Sequence, residues 1–175
     1  LAIPAIWKML AEDDVQFAVL GTGEQWIEHQ LREMNWHYGD KIRAIIGYDG
    51  VLAQRIYGAA DLFLMPSRYE PCGTSQMLAM RYGCLPIVRE TGGLADTVVN
   101  YDDGDADHGT GFVFLWEQPE AVLNTTRWAM DTYRSRKAAF RRMQDRAMRL
   151  DFSWDTSARR YIEVYERAVA RHAKC

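Results

Sequence analysis

The chain of 175 residues carries a formal net charge of −3 and a sequence pI near 5.8, which leaves no electrostatic footprint for nucleic acid or an anionic membrane, and both partners are set aside. Hydrophobic residues at 48% and charged residues at 26% fit one ordinary soluble globular domain with a real core. Three cysteines, Cys72, Cys84 and Cys175, form no CxxC pair, which argues against a disulfide framework or structural zinc and favours a reducing, cytosol-like compartment.

No run of about 18 apolar residues occurs, and the amino end has neither a basic n-region nor a cleavage site, so neither a membrane span nor a signal peptide is indicated. The chain opens on Leu1 rather than Met, from which we expect a fragment. "IPAIWKMLAED" reads as a helix with Pro4 in its first turn and no strand ahead of it, so the first strand of the body is expected to be missing. "QFAVLG" (16–21), "IRAIIGY" (42–48), "DLFLM" (61–65), "CLPIV" (84–88) and "GFVFL" (111–115) are short apolar runs bounded by Gly, Pro or Asp, and they predict buried strands. Helical spacings fall between them: Ile27, Leu31 and Met34; Leu52 and Ile56; then Met77, Met80 and Arg81, closed by Gly83. Strands alternating with helices predict an α/β fold with a parallel, doubly wound sheet. After "YDDGDADHGTG" (101–111), an acidic surface loop, the pattern turns helical: Phe140, Met143, Ala147 and Leu150 form one stripe. Tyr161, Ile162, Tyr165 and Val169 form another beyond "DFSW".

Ligands of doubly wound folds sit at the carboxyl ends of strands. "DLFLMPSRYEPCGTS" runs from a strand into such a loop, and the next helix begins near Thr74 or Ser75, whose hydroxyls fit a cap. Free amides there would take a phosphate, Gly73 would let a ligand approach the backbone, and Glu70 would accept from sugar hydroxyls. The same spacing also fits an ordinary loop before a capped helix. "TGGLADTV" (91–98) places two glycines at the same kind of edge, either to reach a substrate with their amides or to make a flexible turn. "VLGTGEQW" (19–26) has Trp26 in place of the third glycine of GxGxxG and reads as a tight turn, which leaves a dehydrogenase poorly supported.

Asp103, Asp105 and Asp107 imitate the start of a calcium loop, but His108 and Phe114 stand where glycine and a bidentate glutamate are needed. His29, His37, His108 and His172 show no metal-ligand spacing, and neither a G-x-S-x-G elbow nor a Walker A sequence occurs. No metal or cofactor is therefore expected. The six tryptophans and the pair Tyr161 and Tyr165 are read as packing residues.

"MPSRYEPCGTSQ", "AMRYG", "TGGLADTV", "GTGFVF" and "DFSW", in this order, closely resemble the carboxy-terminal domain of bacterial glycogen synthases and plant starch synthases. The resemblance covers nearly the whole chain and implies the Rossmann-like carboxy-terminal half of a GT-B glycosyltransferase, residues 1–175, with a helical tail. It implies a parent enzyme that transfers glucose from ADP-glucose to the non-reducing end of an α-1,4-glucan with retention, needing no cofactor. Its partners would be that donor, that acceptor and the amino-terminal domain, in a bacterial cytoplasm or a plastid.

The family pattern makes Glu70 the catalytic contact to the donor glucose, with Cys72 and Gly73 near the sugar. Thr74 and Ser75 fall at the distal phosphate, Tyr48 against the adenine, and Gly92, Gly93 and Leu94 along the glucosyl and phosphate side. Three departures stand out. Leu78 replaces a tyrosine, and Glu90 replaces a basic residue in "RETGG". The family's basic Arg and Lys of the first loop, together with the amino-terminal groups, would precede Leu1. A donor-binding half that is inactive alone is expected. The alternatives are a related transferase using a UDP-sugar, or a stand-alone nucleotide-binding module.

Overall fold

The computed structural model describes residues 1–102 and 108–172. Helix α1 (Ala2–Glu12) leads into strand β1 (Phe17–Gly21), helix α2 (Gln25–His37) and strand β2 (Ile42–Ile46). Helix α3 (Gly50–Ala59), strand β3 (Leu62–Met65), helix α4 (Ser75–Arg81), strand β4 (Leu85–Arg89), the short helix α5 (Gly92–Thr97) and strand β5 (Phe112–Phe114) follow. Three helices close the chain: α6 (Pro119–Ser135), α7 (Lys137–Arg149) and α8 (Trp154–His172).

Each apolar run forms the strand predicted for it, but only β4 and β5 are largely buried as expected, β1, β2 and β3 being partly exposed, and all pairing between the named strands is parallel. The sheet is not continuous, however. β1 pairs with β2, with Phe17 opposite Ile42, and separately β3, β4 and β5 pair in that order, with Leu64 opposite Ile87 and Val88 opposite Val113. Among the described residues no ladder joins β1 to β3.

The core lies around β4, whose residues from Leu85 to Val88 are all buried. Val122 of α6 and Met143 of α7 close over it, and Met9 and Leu10 of α1 join the same core, because each helix turns its apolar stripe inward. α1 packs on α6, and Arg127 reinforces that contact by bonding Asp13 at 2.9 Å and Glu12 at 2.7 Å. Tyr101, Phe112 and Trp128 form an aromatic cluster, with Trp128 5.0 Å from Phe112 in edge-to-face contact.

Helix ends follow from local chemistry. Asp49 caps α3 by accepting the amides of Val51 and Leu52 at 3.0 and 2.9 Å. Gly83 ends α4 as its spacing predicts, at φ +77: its amide donates to Met80 and that of Cys84 to Ala79, a Schellman closure.

The helical tail corrects one expectation. Trp128 packs, but Trp36, Trp116 and Trp154 stand largely in solvent, as do Tyr161 and Tyr165. α8 has an amphipathic stripe yet buries no residue. No helix among the described residues is long and apolar enough to cross a membrane.

Candidate functional site

The carboxyl ends of β3, β4 and β5 carry three loops that are tied to one another. Arg89, the last residue of β4, donates from Nε to the Ser67 carbonyl at 3.0 Å and from a terminal nitrogen to that of Arg68. Arg68 in turn pairs with Glu117 after β5 at 3.0 Å, and the Glu90 amide donates to the Phe114 carbonyl at 2.9 Å. The loop of residues 66–74 is therefore held from two neighbouring strands.

Half-buried Glu70 is fixed through its backbone: its carbonyl accepts the Gly93 N–H at 2.9 Å. The glycines of "TGG" explain themselves here. A Cβ on Gly92 would collide with the Glu70 carbonyl, and one on Gly93 with that of Cys72. The pair lets two loops touch, and the Gly93 and Leu94 amides already donate to Glu70 and Thr91. Leu94 turns its side chain fully into the core.

Gly73 adopts φ +70, the left-handed conformation that glycine tolerates without strain. α4 begins at Ser75, within the predicted boundary, but the expected hydroxyl cap is not formed: Thr74, at the cap position, makes no side-chain bond to the helix amides. The first-turn amides of this seven-residue helix thus face the loop without a side-chain acceptor. Cys72 is exposed, its Sγ 3.6 Å from the Gly73 carbonyl, whereas Cys84 is buried. Burial, then the nearby charge of Asp61, pushes the Cys84 thiol up to about 12, so it stays protonated and inert.

Glu70, Cys72, Gly73, Thr74 and Ser75 thus meet Gly92, Gly93 and Leu94 at one edge. Tyr48 stands apart after β2, in the other sheet, with 96% of its surface exposed. Leu78 lies exposed on α4, and Glu90 is exposed beside the site. The "GTGEQW" turn behaves as an ordinary turn, because the Gly23 amide is taken by the Glu28 carboxylate at 3.1 Å, a neighbour that would repel phosphate.

Asp103, Asp105 and Asp107 lie outside the described residues. Among the described residues no three His, Cys, Asp or Glu side chains gather to hold a metal. Three contributors escaped the reading of the sequence: Arg89, Gln76 and Thr97. Gln76 was visible in principle as a polar letter on the apolar stripe of "SQMLAM". A larger hollow of about 800 Å³ lies at the opposite edge, lined by the amino ends of β1, β2 and β3 with Arg55 and Ile56 of α3.

Loops gathered at the carboxyl ends of parallel strands are where α/β folds of this kind bind their ligands. The chain superposes on the catalytic domain of starch synthase IV from Arabidopsis thaliana, bound to ADP and acarbose, with a TM-score of 0.81 and 35% identity over 95% of this chain and 35% of that one. At 21% identity and a TM-score of 0.67, sucrose-phosphate synthase from Thermosynechococcus elongatus shares the fold, with coverage of 97% of this chain and 43% of that one. The sequence profile described as "Glycosyl transferases group 1" matches residues 1–131, and the chain belongs to that family. It is 46% identical over 160 residues to a glycogen synthase of Lachnospira eligens, covering 91% of this chain and 33% of that protein. With the glycogen synthase of Thermotoga petrophila it shares 48% identity over 158 residues, or 90% of this chain and 32% of that protein. The chain thus spans about a third of the length of the curated relatives it matches.

Proposed function

We propose that the chain is the donor-binding half of a retaining glucosyltransferase that moves glucose from ADP-glucose to the non-reducing 4-hydroxyl of an α-1,4-glucan. The observation that carries this reading is the "EPCG" loop, pinned against the "TGG" turn at the strand ends, in a chain 46% identical to a glycogen synthase. The ligands bound to the starch synthase relative, ADP and acarbose, support the same donor and acceptor classes.

In this reading Glu70 orients the donor glucose and stabilises its positive, oxocarbenium-like ring, with Cys72 and Gly73 alongside the sugar. Thr74, Ser75 and the first amides of α4 hold the distal phosphate, and Gly92 lines the glucosyl side with Gly93 and Leu94 behind it. Tyr48 stacks on adenine. Attack comes from the front face, without a covalent intermediate. The leaving diphosphate gains charge, and donors already aimed at it lower the barrier without reorganising. Glu90 makes the local field less positive. The work goes on in a reducing compartment, consistent with free Cys72 and Cys84.

The same reading completes the sheet. Among the described residues β1 pairs only with β2 and β3 only with β4, which leaves each an edge without a described partner, and the hollow of about 800 Å³ lies between their amino ends. One parallel strand supplied by the longer protein joins them into a single sheet in the order β2, β1, new strand, β3, β4, β5. Its amino-terminal domain then closes over the donor, excludes water and supplies the remaining catalytic groups, which leaves the 175-residue chain alone inactive.

The test is glucose incorporation into glycogen from ADP-glucose by the longer protein and by this chain. Transfer by the longer protein, reduced by about 10²-fold or more in Glu70→Ala, fits the loss of one transition-state stabiliser. Transfer undiminished by that change would sink the assignment of Glu70, and elongation by the purified chain alone would sink the half-site reading.

A further inference from the structure

Gln76 is the second residue of α4 and is fully buried, an unusual place for a primary amide. Its Nε2 lies 3.2 Å from the Cys72 carbonyl, 3.0 Å from that of Gly73 and 3.1 Å from Thr97 Oγ1. Thr97 uses its own proton on the Gly93 carbonyl at 2.6 Å, and the Gly93 amide donates to the Glu70 carbonyl at 2.9 Å. These bonds close a ring: Glu70 to Gly93, Gly93 to Thr97, Thr97 to Gln76, and Gln76 back to Cys72 and Gly73, two and three residues from its start.

The ring fixes which way the amide faces. Two of the three neighbours of Nε2 are carbonyl oxygens, which only accept, so a flipped amide would set oxygen against oxygen. With Nε2 so placed, Oε1 is buried without a partner and faces Gly73, where an added Cβ would stand 2.5 Å from it. The φ of +70 at residue 73 already calls for glycine, and the Gln76 amide crowds the same position. A side chain that only tethered the helix would not need to bridge the loop and α5 while leaving its own acceptor unsatisfied.

We propose that Gln76, acting with Thr97, is a positioning residue for Glu70. It locks the stretch from Glu70 to Gly73 against α5 and so sets where the Glu70 carboxylate meets the donor sugar. The role rests on the glucosyltransferase reading above. Gln76 touches no reacting atom. It acts by holding the loop before substrate arrives, which matters because geometry at the reacting centre is most demanding in the transition state.

Two measurements test it. In the 175-residue chain, deuterium exchange at the Gly93 amide reads the ring directly, and Thr97→Val, which keeps the shape but not the hydroxyl, should speed it about tenfold or more through increased local opening. In the longer protein, Gln76→Leu should lower kcat by about 10²-fold with the KM for ADP-glucose little changed, the signature of an interaction realised in the transition state. Thr97→Val should lower kcat by about tenfold and Thr97→Ser should restore it, which a general loss of packing would not do.

Unchanged Gly93 exchange in Thr97→Val overturns the ring. Faster exchange with undiminished kcat in a folded Thr97→Val overturns the positioning role, and so does a loss confined to KM. Should Gln76→Leu fail to fold, Thr97→Val and Thr97→Ser decide alone. If the wild-type longer protein transfers no glucose from ADP-glucose, the functional reading fails, and the exchange result still decides whether Gln76 and Thr97 hold the loop.

Discussion

The strands "IRAII" of β2 and "LPIVR" of β4 are similarly apolar, yet they meet different fates. β4 has a strand on each side and helices packed against it, and four consecutive residues are buried. Among the described residues β2 has one neighbouring strand, Ile45 keeps 41% of its surface in water, and α3, which follows it, buries nothing. Apolar sequence selects the strand, whereas its neighbours decide how much of it leaves water. The loops follow the same division. Those after β3, β4 and β5 are tied together by Arg89, Gly93 and Glu117, while Tyr48 after β2 is in solvent. The proposed sugar and phosphate end of the site is built in advance, and the proposed base end is open.

Unequal substitution costs would sharpen this division. Leu85→Ala in β4 should cost about 2–5 kcal/mol in urea unfolding, as removal of a buried leucine does when its cavity cannot collapse. Ile45→Ala in β2 should cost less than about 1 kcal/mol, since exposed positions lose little on truncation. Equal costs would break the comparison.

A smaller effect is expected at the cap of α3. Asp49→Ala should cost about 1 kcal/mol, since two amides lose their acceptor and no buried side chain holds the helix in compensation. Amide exchange confined to residues 50–59 would report it.

The smallest effect concerns α8. Asp151 accepts from the Thr156 hydroxyl at 2.6 Å and the Ser153 amide at 2.8 Å, and these bonds lower its carboxyl to about 2. A depressed carboxyl contributes fully above its ordinary value of 3.8 and loses that contribution as pH falls through about 2. Helicity by far-ultraviolet circular dichroism should therefore hold from neutral pH to about 4 and lose an α8 component below that, with Asp151→Asn losing part of it at neutral pH.

Strand positions were legible because short apolar runs bounded by Gly, Pro and Asp carry a local signal. α6 was not, since "LNTTRW" breaks its apolar stripe with polar letters. Thr126 and Thr132 are in fact buried there, each hydroxyl satisfied by the carbonyl four residues earlier, at 2.7 and 2.8 Å. The exposed aromatic stripe of α8 misled in the opposite direction, because periodicity reports an apolar face but not what covers it. At the site, the contiguous stretch from Glu70 to Ser75 could be read directly. The clamp by Gln76 and Arg89 could not, since it joins residues 21 and 22 positions apart that meet only after the strands pair.

The most direct measurement is a calorimetric titration of the chain with ADP, with UDP as the control and Ser75→Ala beside the wild type. A donor half-site built in advance predicts that ADP binds in preference to UDP and that Ser75→Ala weakens it by about tenfold, the worth of one hydrogen bond to a charged group. Tighter binding of UDP, or ADP binding untouched by Ser75→Ala, would contradict it.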